Sequence, residues 1–269
     1  MEFSRFTRST HQGFGLLIGI QIVFVVGLVG LPGVAFPEQV HVAVAANFAD
    51  CLDQLGTAFE ESTGHELIVS QGSTGKHFAQ IKAGAPFDVF FAADSERPAL
   101  LEADGLTVSG SRFTYAVGRL VLWMPRAEPD SSTSVVEVLK SPGYRHLAIA
   151  NPRLAPYGLA AKQTLISLGV WVELEPRLVM GQSVGQTWQF VATGNAQLGL
   201  VAQSQFAASE NSSGSWWDID ADLHDPIEQQ AVLMLSAAEN AAAKMLMDFV
   251  RGPEARLIIE TYGYTVPED

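Results

Sequence analysis

Cysteine is nearly absent from this chain of 269 residues. Cys51 stands alone, so no internal disulfide can form, and its place on a helix-like stretch marks it as core packing. Outside the first 35 residues the histidines (His41, His65, His77, His146 and His224) are scattered. No His-x-x-x-His or Cys-x-x-Cys pair occurs, and no metal site is expected among them. Positive charge is also scarce. Sixteen Lys and Arg face 29 Asp and Glu, a formal net charge of -13, which excludes the basic face that nucleic acid requires. Charged residues make up only 17% and hydrophobic ones 48%, so disorder is excluded as well. Catalytic signatures are missing too: no Ser-His-Asp order and no paired carboxylates stand out. Gly72-Ser73-Thr74-Gly75-Lys76 fails as a phosphate-binding P-loop, since Ser70 stands where its first glycine belongs and His77 follows the lysine. It fails as a nucleophile elbow because Gln71 replaces the first glycine.

The long apolar run lies at the start. Arg5, Arg8 and His11 precede an almost wholly apolar stretch from Gly13 to Val34, and Gly33-Val34-Ala35 supplies small residues before a cleavage point. Residues 1–35 are expected to be a signal peptide, with an uncleaved membrane anchor as the alternative. Its removal takes away Glu2, Arg5 and Arg8, leaving 14 basic and 28 acidic residues and a net charge of -14.

Beyond residue 36, strand-like and helix-like segments alternate. Val40 to Ala45 reads as a buried strand. The next stretch places Leu52, Leu55 and Phe59 at helical spacing and stops at Gly64. Strands at Leu67–Gln71 and Phe87–Ala93 alternate with helices at His77–Ala83 and Pro98–Asp104. A β-rich run, Phe113 to Met124, is broken by Gly118-Arg119 and reads as a crossover into a second lobe with the same pattern. Gln230 to Leu235 reads as a strand returning to the first lobe, with helices at Glu239–Val250 and Pro253–Thr261 after it. Alternation of this kind specifies an α/β fold with a mostly parallel sheet, whose ligands bind at the carboxyl ends of the strands. The expected lobes are residues 36–116 with 231–269, and 117–230.

Four such strand ends break into small or polar residues before a helix: Ala46-Asn47, Gly72-Ser73-Thr74-Gly75, Ala155-Pro156-Tyr157-Gly158 and Gln182-Ser183-Val184-Gly185. A strand-to-helix junction presents free backbone N–H groups and the positive end of a helix dipole. Four of them brought together would wrap a small anion with donors and no buried counter-charge. Any one alone is an ordinary cap or turn.

Those junctions, with Gln80-Ile81-Lys82-Ala83-Gly84-Ala85-Pro86-Phe87-Asp88-Val89-Phe90, Asn151-Pro152-Arg153-Leu154 ahead of the third junction and the ending Tyr262-Gly263-Tyr264, resemble the periplasmic molybdate-binding proteins of ABC transporters over roughly residues 38–266. The resemblance implies a two-lobed periplasmic binding-protein fold (type II) with the ligand cleft between lobes. It implies capture of molybdate, and of tungstate, for a membrane permease and its ATPase. It implies no enzymatic activity, no cofactor, no metal except molybdenum held as its oxyanion, and a periplasmic monomer. The family's ligand-contacting positions fall on Ala46, Asn47, Ser73, Thr74, Tyr157 and Val184. Many family members carry Ser at the positions of Asn47 and Thr74, and Tyr where Ala202 stands here. The side chains of Asn47, Ser73 or Thr74, and Tyr157 are expected to donate to the ligand, the Tyr157 hydroxyl standing in for the one missing at Ala202. Another tetrahedral oxyanion, sulfate or phosphate, is the alternative ligand, and an exported α/β enzyme the alternative class.

Overall fold

A computed structural model describes residues 37–126, 133–207 and 213–267; the expected signal peptide lies outside them. No helix among the described residues is long and apolar enough to cross a membrane. Among the described residues, ten strands form two five-stranded sheets. The first contains β1 (Gln39–Ala45), β2 (Glu66–Gly72), β3 (Val89–Ala92), β4 (Phe113–Gly118) and β10 (Ile227–Leu233), in the order β2-β1-β3-β10-β4. The second contains β5 (Leu120–Met124), β6 (Leu147–Ala150), β7 (Leu178–Gly181), β8 (Leu198–Ala202) and β9 (Ser215–Asp218), in the order β7-β6-β8-β5-β9. In each sheet three neighbouring strands are parallel. One strand, β10 or β5, runs antiparallel to both of its neighbours. The architecture is the expected two-lobed α/β fold.

Burial on both faces explains the composition of the central strands. β3, β6 and β8 are buried at every position, which is why they read as unbroken apolar runs without alternation. Helices cover the sheets. They are α1 (Ala49–Thr63), α2 (Thr74–Lys82), α3 (Glu96–Ala103), α4 (Val135–Lys140), α5 (Pro156–Ser167), α6 (Trp171–Leu174), α7 (Val184–Ala192), α8 (Ser204–Ala207), α9 (Ala241–Arg251) and α10 (Pro253–Thr261). α1 buries Cys51, Leu52, Leu55 and Phe59 and ends at Gly64, whose φ of 77° closes the helix in the left-handed region.

The chain passes between the sheets twice, from β4 to β5 through Arg119 and from β9 to β10. The first passage is the break expected at Gly118-Arg119. β10 begins earlier than the sequence suggests: Ile227 pairs with Gly118 and Gln229 with Ala116. Residues 117–118 and 227–230, assigned above to the second lobe, therefore hydrogen-bond within the first sheet. α2 starts at Thr74, three residues before the expected His77, because the Ser73 side chain caps it. The short elements α4 and β9 have too little apolar periodicity to be read from sequence.

Candidate functional site

All four junctions lie at the carboxyl ends of strands, and the fold gathers them around one small cavity. Ala46 and Asn47 follow β1, Ser73 and Thr74 follow β2, Tyr157 opens α5 after β6, and Val184 opens α7 after β7. These six residues all line the cavity, together with Ala93 beyond β3 and Ser183 before α7. Each of the six is buried. The sequence thus marked both halves of the site, although they come from different sheets. Ala93 follows a plain apolar strand and carried no signal.

No charged side chain lines the cavity. Lys76, which directly follows the second junction, borders the wider groove outside. What the cavity does have is donors. Among the hydrogen bonds of the described residues, none uses the backbone N–H of Asn47, Ser73, Thr74, Tyr157 or Val184. Four of these groups belong to the first residues of α2, α5 and α7 or to the cap of α2, where the helix itself offers no acceptor. The three helix dipoles point the same positive end at the cavity.

The side chains divide into two groups. Ser73 Oγ accepts from Lys76 N–H at 3.4 Å, and Thr74 Oγ1 accepts from Ala93 N–H at 3.0 Å. Both hydroxyl protons remain free to donate. Asn47 differs. Its Nδ2 donates to Gln229 Oε1 at 2.7 Å and to Tyr264 Oη at 2.9 Å, so both amide hydrogens are used inside the protein. The expectation of an Asn47 amide donor is therefore corrected: Asn47 offers its backbone N–H.

Tyr157 requires the same correction. Its ring is buried and its hydroxyl lies against Gly118 and Gln229, neither of which lines the cavity. A Cβ on Gly118 would stand 3.0 Å from Tyr157 Cζ and overlap the hydroxyl; only glycine leaves room for the ring at the first crossing. Burial pushes the Tyr157 pKa well up, the neighbouring Tyr264 adds to this, and the Gln229 amide opposes it. The hydroxyl stays protonated across the physiological range. Tyr157 faces the cavity through its backbone, and the stand-in for the hydroxyl missing at Ala202 is not supplied there.

A family profile described as bacterial extracellular solute-binding protein matches residues 40–265. The chain belongs to this family. The solute-binding protein is 46% identical over 245 residues to the molybdate-binding protein ModA of Azotobacter vinelandii, covering 91% of this chain and 96% of that one. It is 47% identical over 235 residues to ModA of Rhodobacter capsulatus, covering 86% and 91%. The solved structure of the A. vinelandii periplasmic molybdate-binding protein matches with a TM-score of 0.80 at 44% identity, over 85% of this chain and all of that one. The resemblance drawn from the motifs is borne out by these relatives.

Sequence reading missed the buried polar cluster behind the first junction of this solute-binding protein. Tyr264 Oη donates to the Asn47 carbonyl at 2.7 Å, and Ser204 Oγ donates to the same oxygen at 2.9 Å. Tyr115 Oη lies 3.2 Å from Gln229 Oε1. Gln229 and Tyr115 sit in strands with no motif around them, so only the pairing of β10 with β4 places them here.

Proposed function

We propose that this solute-binding protein captures molybdate, and tungstate through the same contacts, in the periplasm and delivers it to an ABC permease and its ATPase. The reading rests on one observation: an uncharged, buried cavity ringed by unused N–H groups from both lobes. A donor-only site fits a fully deprotonated tetrahedral dianion, whose four oxygens only accept. The ligand-binding residues are Ala46, Asn47, Ser73, Thr74, Tyr157 and Val184. Ser73 and Thr74 add hydroxyl donors, Asn47, Tyr157 and Val184 serve through backbone N–H groups, and Ala46, whose own N–H donates to the Gly72 carbonyl, lines the cavity. The dianion's desolvation is offset by helix dipoles and charge-assisted hydrogen bonds, with no buried cation. The reading is of a receptor that binds one ion per monomer and turns nothing over. Molybdate is chosen over sulfate because of the curated relatives at 46% and 47% identity, since donor type cannot separate two tetrahedral dianions.

Calorimetry of residues 36–269 against molybdate, tungstate, sulfate and phosphate tests this. Molybdate and tungstate are expected to bind one per chain and more tightly than the other two; sulfate or phosphate binding tightest would overturn the assignment. Ser73→Ala removes a donor to a charged acceptor, a loss of about 1.5–3 kcal/mol, so the Kd for molybdate should rise by roughly 10- to 150-fold.

A further inference from the structure

Two buried polar atoms among the described residues come from different lobes and have no hydrogen-bond partner: Tyr157 Oη on α5 and Gln229 Nε2 on β10. Both crowd the missing side chain of Gly118, whose Cβ would stand 2.9 Å from Gln229 Nε2 and against the Tyr157 hydroxyl. Buried amides and hydroxyls are costly to leave unpaired.

The orientation of the Gln229 amide follows from its neighbours. The Asn47 backbone carbonyl can only accept, and Tyr264 Oη donates to it at 2.7 Å. With its proton used there, Tyr264 Oη must accept from Asn47, which fixes Nδ2 on that side at 2.9 Å. The same Nδ2 then donates to Gln229 Oε1 at 2.7 Å. Gln229 must therefore present Nε2, a donor, toward Tyr157. Donor and acceptor roles are set in sequence from a main-chain oxygen whose role cannot reverse.

We infer that Gln229 is a positioning residue for the oxyanion site: its amide holds the Tyr157 hydroxyl and ties the Asn47 junction of one lobe to the Tyr157 junction of the other. Asn47 and Tyr157 carry unused N–H groups at the cavity, and Gln229 does not line it. It acts by keeping the two N–H groups in register across the strands where the chain changes lobe. This inference rests on the proposed function for the identity of the ion.

A double-mutant cycle with Gln229→Met and Tyr157→Phe, read by calorimetry with sodium molybdate, tests it. Residues in one hydrogen-bond network couple by about 0.5–3 kcal/mol, equivalent to roughly 2- to 150-fold in Kd. Gln229→Met is expected to weaken binding at least about threefold in the parent and by less than about twofold when Tyr157 is already Phe. Equal losses in both backgrounds would overturn the inference, because a purely structural role of Gln229 does not depend on the Tyr157 hydroxyl. Should the parent bind no molybdate, the proposed function fails, and the contact is judged alone by the side-chain amide resonances of Gln229 in labelled protein. A shift on Tyr157→Phe supports the contact; unmoved resonances overturn it. The same resonances serve if Gln229→Met fails to fold.

Discussion

His77 shows how a residue beside the site can matter without touching the ligand. It lies in the first turns of α2, buried, with Nδ1 3.1 Å from Gln80 Oε1 and its ring edge-on to Phe87 and Phe90. Its Nε2 has no hydrogen-bond partner and sits 2.8 Å from where a Cβ on Gly72 would be. Burial lowers its pKa, the hydrogen bond to Gln80 opposes the lowering, and Lys76 adds to it. The folded protein therefore holds His77 neutral below the pH at which the unfolded chain protonates it, near 6.5. Below that pH the unfolded state binds more protons, and stability falls as pH falls, by at most about 1.4 kcal/mol per pH unit for one group. Above it the contribution is complete. Chemical unfolding of the parent and of His77→Gln between pH 7.5 and 5 should show the parent losing stability relative to the variant as the solution is acidified. A constant difference between the two would mean that His77 is not held neutral. Gly118 is a second case. Its role in admitting the Tyr157 ring is invisible in sequence, where it reads only as a break in a β run.

At the scale of elements, caps serve two separate purposes. Ser73 caps α2 and Ser183 caps α7, each accepting from the helix's third N–H, and both also line the cavity. Asn240 caps α9 in the same way, accepting from Ala243 N–H at 3.0 Å, but does not line the cavity. Losing such a cap costs about 0.5–2 kcal/mol. Asn240→Ala should therefore lower the melting temperature and leave the molybdate Kd unchanged, whereas Ser73→Ala alters both. Melting curves and calorimetry on the two variants separate helix stability from ligand donation; a changed Kd in Asn240→Ala would show that the junctions are not independent of α9. The junctions that open the helices were legible in this chain because Ser, Thr and Asn stand there, although α2 begins three residues before the expected His77. The early start of β10 was not, since Ile227-Glu228-Gln229 carries one apolar residue and becomes strand only by pairing with β4.

For the whole molecule, the contacts across the cleft define the closed form. Gly75 N–H donates to the Leu154 carbonyl at 2.8 Å, Arg97 reaches the Arg153 carbonyl at 3.2 Å, and Ser204 Oγ reaches the Asn47 carbonyl at 2.9 Å. Each joins the first lobe to the second. Ala45, Ala46 and Ala93 from the first sheet's strand ends also belong to the apolar cluster that contains Tyr157 and Val184. A ligand that needs donors from both lobes favours this arrangement by its differential affinity for it. Small-angle scattering should show a smaller radius of gyration with molybdate than without, and excess ligand at about 1,000 times Kd should stabilise the fold by ~4 kcal/mol. Tight binding with an unchanged radius would place all the donors in one lobe.

The sequence by itself determined the α/β class, the four donor-rich junctions and the absence of a charged residue within them. These follow from local pattern: apolar runs for buried strands, and small polar residues where helices begin. The tertiary structure alone decided that the junctions meet, because the two crossings of the chain bring strand ends some hundred residues apart, Asn47 and Tyr157 among them, to one cavity. It also decided which group of each residue faces that cavity. Asn47 and Tyr157 look like side-chain donors in sequence, but packing commits the amide to Gln229 and Tyr264 and carries the hydroxyl to the crossing strands. What remains to meet an anion is the backbone, whose N–H groups every residue shares and no sequence pattern can single out.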